Sequence, residues 1–176
     1  ALGSETTDTF YKAINTVFPS LIRVEADEVT YNLHIMLRFE LEQDMIAGKI
    51  RIQDLPEEWN DRMESWLGVR PSKDSDGVLQ DIHWSLGAIG YFPTYALGNL
   101  MSTQLFNAAK KAIPDLDAKT AQGDFSALLD WLRTNVHQHG RRKTAGQILL
   151  DATGSELSSE SWMHYAQSKF GELYGF

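Results

Sequence analysis

One stretch of this sequence is apolar on almost every side of a helix, and it constrains the fold more than any other feature. The hydrophobic periodicity predicts a long helix over residues 24–47, which Gly48 would end. Its middle is apolar in nearly every direction: Leu33, Ile35, Met36, Leu37, Phe39 and Leu41. A helix that is hydrophobic all round is buried, so the rest of the chain must pack around it.

The polar residues near this helix are not scattered. Arg23, Asp27, Tyr31, His34 and Arg38 follow one another at spacings of four, four, three and four residues. This spacing places them on one stripe if the helix begins early enough. Buried polar groups need partners, so the stripe is either a structural network or one wall of a cleft. In a structural network, Asp27 would pair with Arg23 and Arg38 with His34, and spacing alone leaves both interpretations open.

Helical periodicity recurs along the rest of the chain and indicates an all-α fold. The sequence has no internal repeat, low-complexity tract or linker rich in Pro and Gly, so we predict one helical unit over residues 1–176. A short extended stretch is allowed at Ile50 and Ile52. We expect six or seven helices. Besides residues 24–47, the periodicity indicates helices at 7–17, 93–112 and 125–138 and one from Ser158 onward. Two more helices would begin at capping boxes, one formed by Asp54 and Glu57 and one by Thr144 and Gln147.

The composition excludes several classes of protein. Sixteen Lys and Arg against 24 Asp and Glu give a net charge of −8, which argues against binding of nucleic acid. The absence of cysteine rules out disulfides, thiolate catalysis and zinc sites built on cysteine. No window approaches the roughly 18 apolar residues of a membrane-spanning helix, so we expect no membrane partner.

Residues 77–90 are not typical of a regular helix, and they include a histidine in a chemically suggestive setting. His83 lies there between Asp81 and Trp84, and a nearby carboxylate can fix the tautomer of a histidine. Tyr95 follows at the start of the next predicted helix. A histidine and a tyrosine together are suited to stabilising the oxyanion of a tetrahedral intermediate. The alternative is that both side chains simply belong to the core or to its edge.

Two motifs resemble the signature elements of a known enzyme family. Residues 22–27, Ile-Arg-Val-Glu-Ala-Asp, are similar to an Ile-Arg-x-x-Ala-Asp element. Residues 77–84, Gly-Val-Leu-Gln-Asp-Ile-His-Trp, match a Gly-x-x-Gln-Asp-x-His-Trp element at every specified position. Both elements belong to the thermostable carboxypeptidase Taq family, which are zinc- or cobalt-dependent metallocarboxypeptidases with a mainly helical fold that contains a cleft. The resemblance extends over essentially the whole chain.

The sequence departs from that family at the metal site. The family holds its metal with a His-Glu-x-x-His helix and a later Glu, both upstream of the first motif. This chain has no His-Glu pair, and none of its five histidines lies four residues from another. The resemblance therefore implies the C-terminal part of a longer enzyme, in which zinc or cobalt is bound by the full-length protein and no metal ligand lies in this chain. We expect the chain to be inactive on its own.

The resemblance also implies roles for individual side chains. His83 would donate to the substrate's carbonyl oxygen and Tyr95 would stabilise the tetrahedral intermediate, so both are candidate catalytic residues. Arg23 would bind the substrate's free carboxylate with its fork of N–H groups, and Gln80 would lie on the same substrate-binding wall and orient its neighbours. Asp81 would hold His83, and Asp27 and His34 would support the groups named above.

Two hypotheses about function remain. The first is a cytoplasmic, homo-oligomeric metallocarboxypeptidase that acts on the C-terminus of peptides and in which this chain packs against a missing N-terminal half. The alternative is a stand-alone helical interaction or regulatory module derived from such an enzyme. An intact small metalloenzyme fails because the ligand spacing is absent. A truncated chain would expose the surface that packs on the absent half, so we expect a large apolar patch and self-association through it.

Overall fold

The structure, a computed structural model, describes Gly3 and residues 5–176. Within these residues the chain forms eight α-helices and no strand, which confirms the all-α prediction. Short 3-10 turns lie at Arg23–Glu25, Ile52–Asp54, Asp74–Asp76 and His137–His139. The helices are α1 Thr7–Ile14, α2 Tyr31–Ile46, α3 Leu55–Leu67, α4 Pro93–Ala112, α5 Leu116–Ala121, α6 Ser126–Asn135, α7 Ala145–Thr153 and α8 Glu160–Tyr174.

Most helices lie where the periodicity indicated them, and α4 has the predicted bounds. The expected count of six or seven is wrong because α5 is absent from the prediction. That helix has six residues, which is too short for an apolar stripe to repeat along it. The short extended stretch that the sequence allows at Ile50 and Ile52 is limited to Arg51 between them, since Ile52 begins a 3-10 turn.

α2 begins seven residues later than predicted, because Asp27 satisfies backbone groups that a longer helix would have used. Its carboxylate accepts hydrogen bonds from the backbone N–H groups of Val29 and Thr30, both at 2.9 Å, and from the Thr30 hydroxyl at 2.7 Å. Its carbonyl accepts the first N–H of α2, that of Tyr31, as a capping residue does. Arg23 and Asp27 therefore precede α2, and the predicted stripe of five residues along one helix is wrong.

One of the two predicted capping boxes is formed. Thr144 accepts a hydrogen bond from the Gln147 backbone N–H at 3.3 Å, and the Gln147 side chain accepts one from the Thr144 N–H at 2.9 Å. Asp54 makes no such bond, because its backbone is already helical and its carboxylate binds Arg51. The predicted box between Asp54 and Glu57 is therefore wrong.

Thr144→Ala should lower the free energy of unfolding by about 1 kcal/mol, because the first turn of α7 loses its side-chain cap. Asp54→Ala, at the box that does not form, should cost clearly less, since it removes only an exposed ion pair with Arg51. Urea unfolding followed by circular dichroism measures both values. Equal losses in the two variants would contradict the assignment of the cap to Thr144 alone.

The chain divides into two compact units, one that ends at Ala96 and one that begins at Leu97. Whether residues 1–176 fold as one unit stays a prediction, and Ala1, Leu2 and Ser4 lie outside the described residues. The first unit has a core formed by α2, α3 and their flanking segments: Leu37, Leu41, Ile50, Leu55, Trp59, Met63, Leu67 and Val78. In the second unit, the buried apolar residues are Ala109, Leu116, Leu149 and Phe170.

Apolar side chains also remain exposed in the first unit. Met36 and Phe39, on α2, are 43% and 42% exposed, so the prediction that this helix is buried all round is wrong for one of its faces. Leu79, Ile82 and Leu86 are largely exposed as well. Self-association through such residues stays a prediction. No helix in the described part of the chain has the length and apolar character needed to cross a membrane.

Candidate active site

Asp81 attaches the irregular segment of residues 77–90 to the rest of the first unit. Arg23 binds the Asp81 carboxylate with two nitrogens, since Nε lies 3.1 Å and Nη2 lies 2.6 Å from Oδ1. Arg38, on α2, donates from Nε to Oδ2 at 2.7 Å. The side chains of the two arginines are 7% and 0% exposed and that of Asp81 is 10% exposed. Two buried guanidinium groups therefore share one carboxylate.

The charges in this cluster shift one another's pKa. Burial alone would raise the pKa of Asp81, but the hydrogen bonds and positive charges of Arg23 and Arg38 outweigh it and hold that pKa below its ordinary value. Burial lowers the pKa of Arg38 to about 10, although Asp81 opposes this shift. Burial also acts to lower the pKa of Arg23, but Asp81 brings it above the ordinary value. All three groups are charged at pH 7, which leaves one positive charge in excess among them.

Gln80 uses all of its hydrogen-bonding capacity within the first unit. Its Oε1 accepts hydrogen bonds from the Arg23 backbone N–H at 2.8 Å and from Arg38 Nη2 at 2.9 Å. Its Nε2 donates to the carbonyls of Leu21 and Asp76, at 3.0 Å and 2.9 Å. Gln80 thus ties its own segment to the turn that carries Arg23. Direct binding of substrate by Gln80 stays a prediction.

The structure brings His83 and Tyr95 together. His83 Nε2 lies 3.1 Å from Tyr95 Oη, and the histidine ring packs on Phe92 with 4.4 Å between ring centroids. Tyr91 lies at 5.6 Å from the same ring. Nδ1 of His83 lies 3.8 Å from Asp81 Oδ1, which is beyond hydrogen-bond distance. The carboxylate is therefore a charge near the ring, and it does not hold the ring by a hydrogen bond.

Local backbone structure places both side chains. Pro93 opens α4 with a fixed helical φ, so Tyr95 lies in the first turn of that helix. His83 lies in a series of turns, and its carbonyl accepts hydrogen bonds from two later N–H groups. Gly87 and Gly90 have φ angles of +72° and +78°, a backbone conformation that residues with a side chain rarely adopt. The chain can therefore turn back from His83 toward α4 within a few residues.

The polar stripe forms a structural network, but with partners other than the predicted ones. Arg38 donates to the backbone carbonyl of His34 at 2.8 Å and not to its ring. Arg23 Nη1 donates to Tyr31 Oη at 3.0 Å, while the Asp27 carboxylate binds the Thr30 backbone N–H just before α2. The predicted Asp27–Arg23 and Arg38–His34 side-chain pairs are therefore wrong, because the two arginines bind a carboxylate outside the stripe.

His34 is a fully buried member of this stripe. It is 0% exposed, and neither ring nitrogen has a hydrogen-bond partner among the described residues. Burial, together with the positive charges of Arg38 and Arg23, lowers the pKa of His34 to about 4, while Asp27 and Asp81 oppose this shift. The ring is therefore neutral at pH 7.

Acid should destabilise this chain through His34. The unfolded chain binds a proton at this ring near pH 6.5 and the folded chain only near pH 4, so between these values the unfolded state carries more protons. The free energy of unfolding should fall by about 1 kcal/mol per pH unit as the pH drops through this window. His34→Leu, which cannot bind a proton, should lack this part of the slope. Urea unfolding at a series of pH values tests the difference, and parallel profiles for the two proteins would contradict it.

Three residues that build this site escaped the sequence prediction. Glu42 is buried on α2 and accepts a hydrogen bond from Trp84 Nε1 at 2.7 Å. Phe92 is buried against the histidine, and Trp59 lies 4.5 Å from the guanidinium of Arg38. Glu42 follows Arg38 at a spacing of four, so the stripe itself carried a signal for it. The aromatic contacts have no such signal, since they depend on tertiary packing.

Comparison with protein families identifies the family of this chain. Residues 1–170 match the family described as carboxypeptidase Taq (M32) metallopeptidase. The chain belongs to this family. The resemblance predicted from the motifs at residues 22–27 and 77–84 is thereby confirmed.

Known M32 relatives align with nearly the whole of this chain. It is 45% identical over 169 residues to thermostable carboxypeptidase 1 of Pyrococcus furiosus, and 43% identical over 167 residues to carboxypeptidase 1 of Bacillus subtilis. These alignments cover 96% and 95% of this chain, but 34% and 33% of the two relatives. This chain thus spans a third of the length of these curated relatives.

Solved M32 structures share the fold. The M32 carboxypeptidase from Deinococcus radiodurans R1 superposes with a TM-score of 0.95 at 48% identity, covering 99% of this chain and 35% of that one. The metallocarboxypeptidase 1 of Trypanosoma cruzi gives a TM-score of 0.90 at 36% identity, covering 95% of this chain and 35% of that one. The helices described above are therefore an M32 arrangement.

The M32 family consists of metallopeptidases, so a metal cofactor belongs to its activity. The described residues of this chain contain no group of three or more His, Asp or Glu that could hold a metal ion. At the site itself, the carboxylate of Asp81 is already committed to two arginines and His83 Nε2 to Tyr95. These residues therefore do not fit a resident metal.

Proposed function

We propose that this chain is the oxyanion-binding and substrate-binding wall of an M32 metallocarboxypeptidase, an enzyme that hydrolyses peptides and releases their C-terminal amino acids. The contact between His83 Nε2 and Tyr95 Oη, 3.1 Å apart, carries the proposal. Relatives that are named carboxypeptidases support the class of reaction. In this proposal the chain is the C-terminal part of the enzyme and is inactive alone.

Tyr95 directs a hydrogen-bond donor at the substrate's carbonyl oxygen, and His83 holds that donor in place. When water adds to the scissile carbonyl, negative charge develops on its oxygen, and donors that are fixed beforehand stabilise that charge. We assign the ring proton of His83 to Nε2. In that tautomer the ring donates to Tyr95 Oη, and the phenol keeps its own proton for the oxyanion. His83 also aligns the phenol, because the two atoms are within hydrogen-bond distance.

Arg23 is the residue we propose to bind the substrate's C-terminal carboxylate. Three of its five N–H groups bind Asp81 and Tyr31, and the described residues offer no partner for the other two, which an anion could bind. The positive charge in excess at the Asp81 cluster favours an anion at this wall. A carboxylate matches the fork of a guanidinium group, which makes arginine the natural partner.

The other site residues act through these groups. Gln80 orients Arg23 and Arg38, because its Oε1 accepts from both. Asp81 balances the charge of the two arginines and lies near the His83 ring. Asp27 supports α2 by holding the turn that leads into it, and His34 fills the buried side of the helix.

The remaining proposals concern the full-length enzyme. Zinc or cobalt would be held by residues outside this chain and would supply the Lewis acidity that metallopeptidases use. The substrate is a peptide C-terminus, and the N-terminal part of the same enzyme is the main partner. We place this homo-oligomeric enzyme in the cytoplasm, with neither nucleic acid nor a membrane as partner. The net charge of −8 supports the absence of a nucleic-acid partner, and a length one third that of the relatives supports an N-terminal partner segment.

The test is release of the C-terminal amino acid from a blocked dipeptide with zinc or cobalt added. Three samples are compared: this chain alone, this chain mixed with the upstream part, and the full-length enzyme. We expect release from the last two and none from the first. Release by this chain alone would reveal a metal site within it. A full-length protein that is inactive with both metals would overturn the proposal in favour of the stand-alone interaction or regulatory module.

A further inference from the structure

Glu42 holds the segment that carries His83 at two points. Its Oε1 accepts a hydrogen bond from Trp84 Nε1 at 2.7 Å, and its Oε2 accepts one from the Gly90 backbone N–H at 3.2 Å. Glu42 is only 3% exposed. Trp84 directly follows His83, and Gly90 lies two residues before Phe92, on which the histidine ring packs. The two bonds therefore fix the chain on both sides of the turn between the histidine and its aromatic neighbour.

Glu42 is the second of two attachments between α2 and this segment. Arg38 and Glu42 lie four residues apart, so they share a face of the helix. Arg38 binds Asp81, two residues before His83, and Glu42 binds the residue that follows it. One helix thus holds side chains on both sides of the histidine, at Asp81 and at Trp84.

The segment depends on such attachments because it has no regular helix of its own, and its internal backbone hydrogen bonds form turns. Trp84 also packs edge-on against Trp59 and Phe92, each with 5.9 Å between ring centroids. The 2.7 Å bond from the indole N–H to Glu42 is at the short end of the range for N–H···O hydrogen bonds. Glu42 therefore fixes the indole ring, and with it the backbone next to His83.

We propose that Glu42 is a positioning residue for the pair formed by His83 and Tyr95. By holding Trp84 and Gly90, it sets the 3.1 Å separation between His83 Nε2 and Tyr95 Oη. This rests on the proposed function, in which that pair stabilises the oxyanion. Glu42 does not touch the substrate, because it is buried and both of its oxygens are occupied.

The test compares Glu42→Gln with Glu40→Gln, an exposed carboxylate on the same helix that forms a loose ion pair with Arg62. The amide that Glu42→Gln introduces can accept only one of the two hydrogen bonds. In the full-length enzyme, Glu42→Gln should lower kcat about tenfold with little change in KM, because the donors are misplaced while substrate binding is kept. In this chain, the NMR resonances of the His83 ring should shift. Glu40→Gln should leave kcat and these resonances unchanged.

The outcomes separate positioning from stability. If Glu42→Gln moved only the urea midpoint and left kcat and the His83 resonances of the folded protein unchanged, the role would be structural and the proposal overturned. If that variant does not fold, Trp84→Phe takes its place: it removes the hydrogen bond from the indole to Glu42, keeps an aromatic ring in the core and is read out by the same kcat and NMR measurements. If the unmodified full-length enzyme hydrolyses no peptide, the proposed function fails, while the NMR comparison still decides whether Glu42 positions His83.

Discussion

Asp81→Asn should destabilise this chain by about 3–5 kcal/mol, because two buried guanidinium groups lose the one carboxylate that they share. Asparagine keeps the shape and one acceptor oxygen, so the substitution removes the charge and little else. A loss of this size is a large fraction of the roughly 5–15 kcal/mol by which a domain is stable. Urea unfolding of the purified chain, followed by tryptophan fluorescence, measures it.

Two controls show whether charge is the cause. Asp61→Asn removes a similar contact to an arginine, but this carboxylate is 62% exposed, so the loss should stay below about 1 kcal/mol. Arg38→Met, added to Asp81→Asn, should recover part of the stability because one unpaired buried cation is removed with it. If Asp81→Asn lowered the free energy of unfolding no more than Asp61→Asn does, the two arginines would not depend on the charge of Asp81. The cluster would then not be what holds the site together.

Local signals in the sequence predicted the parts of the fold that depend on near neighbours. α4 has its predicted bounds because Pro93 opens it and Pro114 follows its end. The box at Thr144 forms because its two partners are three residues apart. The start of α2 was missed because the Asp27 carboxylate competes for the same backbone N–H groups that a longer helix would use. Periodicity cannot decide such a competition.

The members of the site could be predicted from the sequence, but most of their contacts could not. His83 and Tyr95 are in contact and lie only 12 residues apart in the chain, so a sequence pattern on adjoining segments could suggest the pair. Arg23 finds its partner in Asp81, 58 residues later, and no spacing rule connects positions so far apart. The donors to Glu42 lie 42 and 48 residues away. The motifs thus name the residues, while the tertiary fold assigns their partners.

Tyr95→Phe in the full-length enzyme should lower kcat about 100- to 1,000-fold, because one preorganised donor to the oxyanion is lost. The phenyl ring keeps the packing against Tyr91 and His83, so the chain should stay folded. KM should change little, since the lost bond is strongest when charge has developed in the transition state. Steady-state hydrolysis of a blocked dipeptide at saturating metal gives both constants.

The matched control is Tyr91→Phe, which removes a hydroxyl from a ring that packs on the same histidine at 5.6 Å but is 49% exposed. It should keep a kcat close to that of the unmodified enzyme. His83→Ala should be about as slow as Tyr95→Phe, and the double variant no slower than the worse single one, because His83 acts through the phenol of Tyr95. Two fully additive losses would mean that His83 acts independently of Tyr95. If Tyr95→Phe left kcat unchanged, Tyr95 would have no part in catalysis, and its contact with His83 would be only packing at the edge of the core.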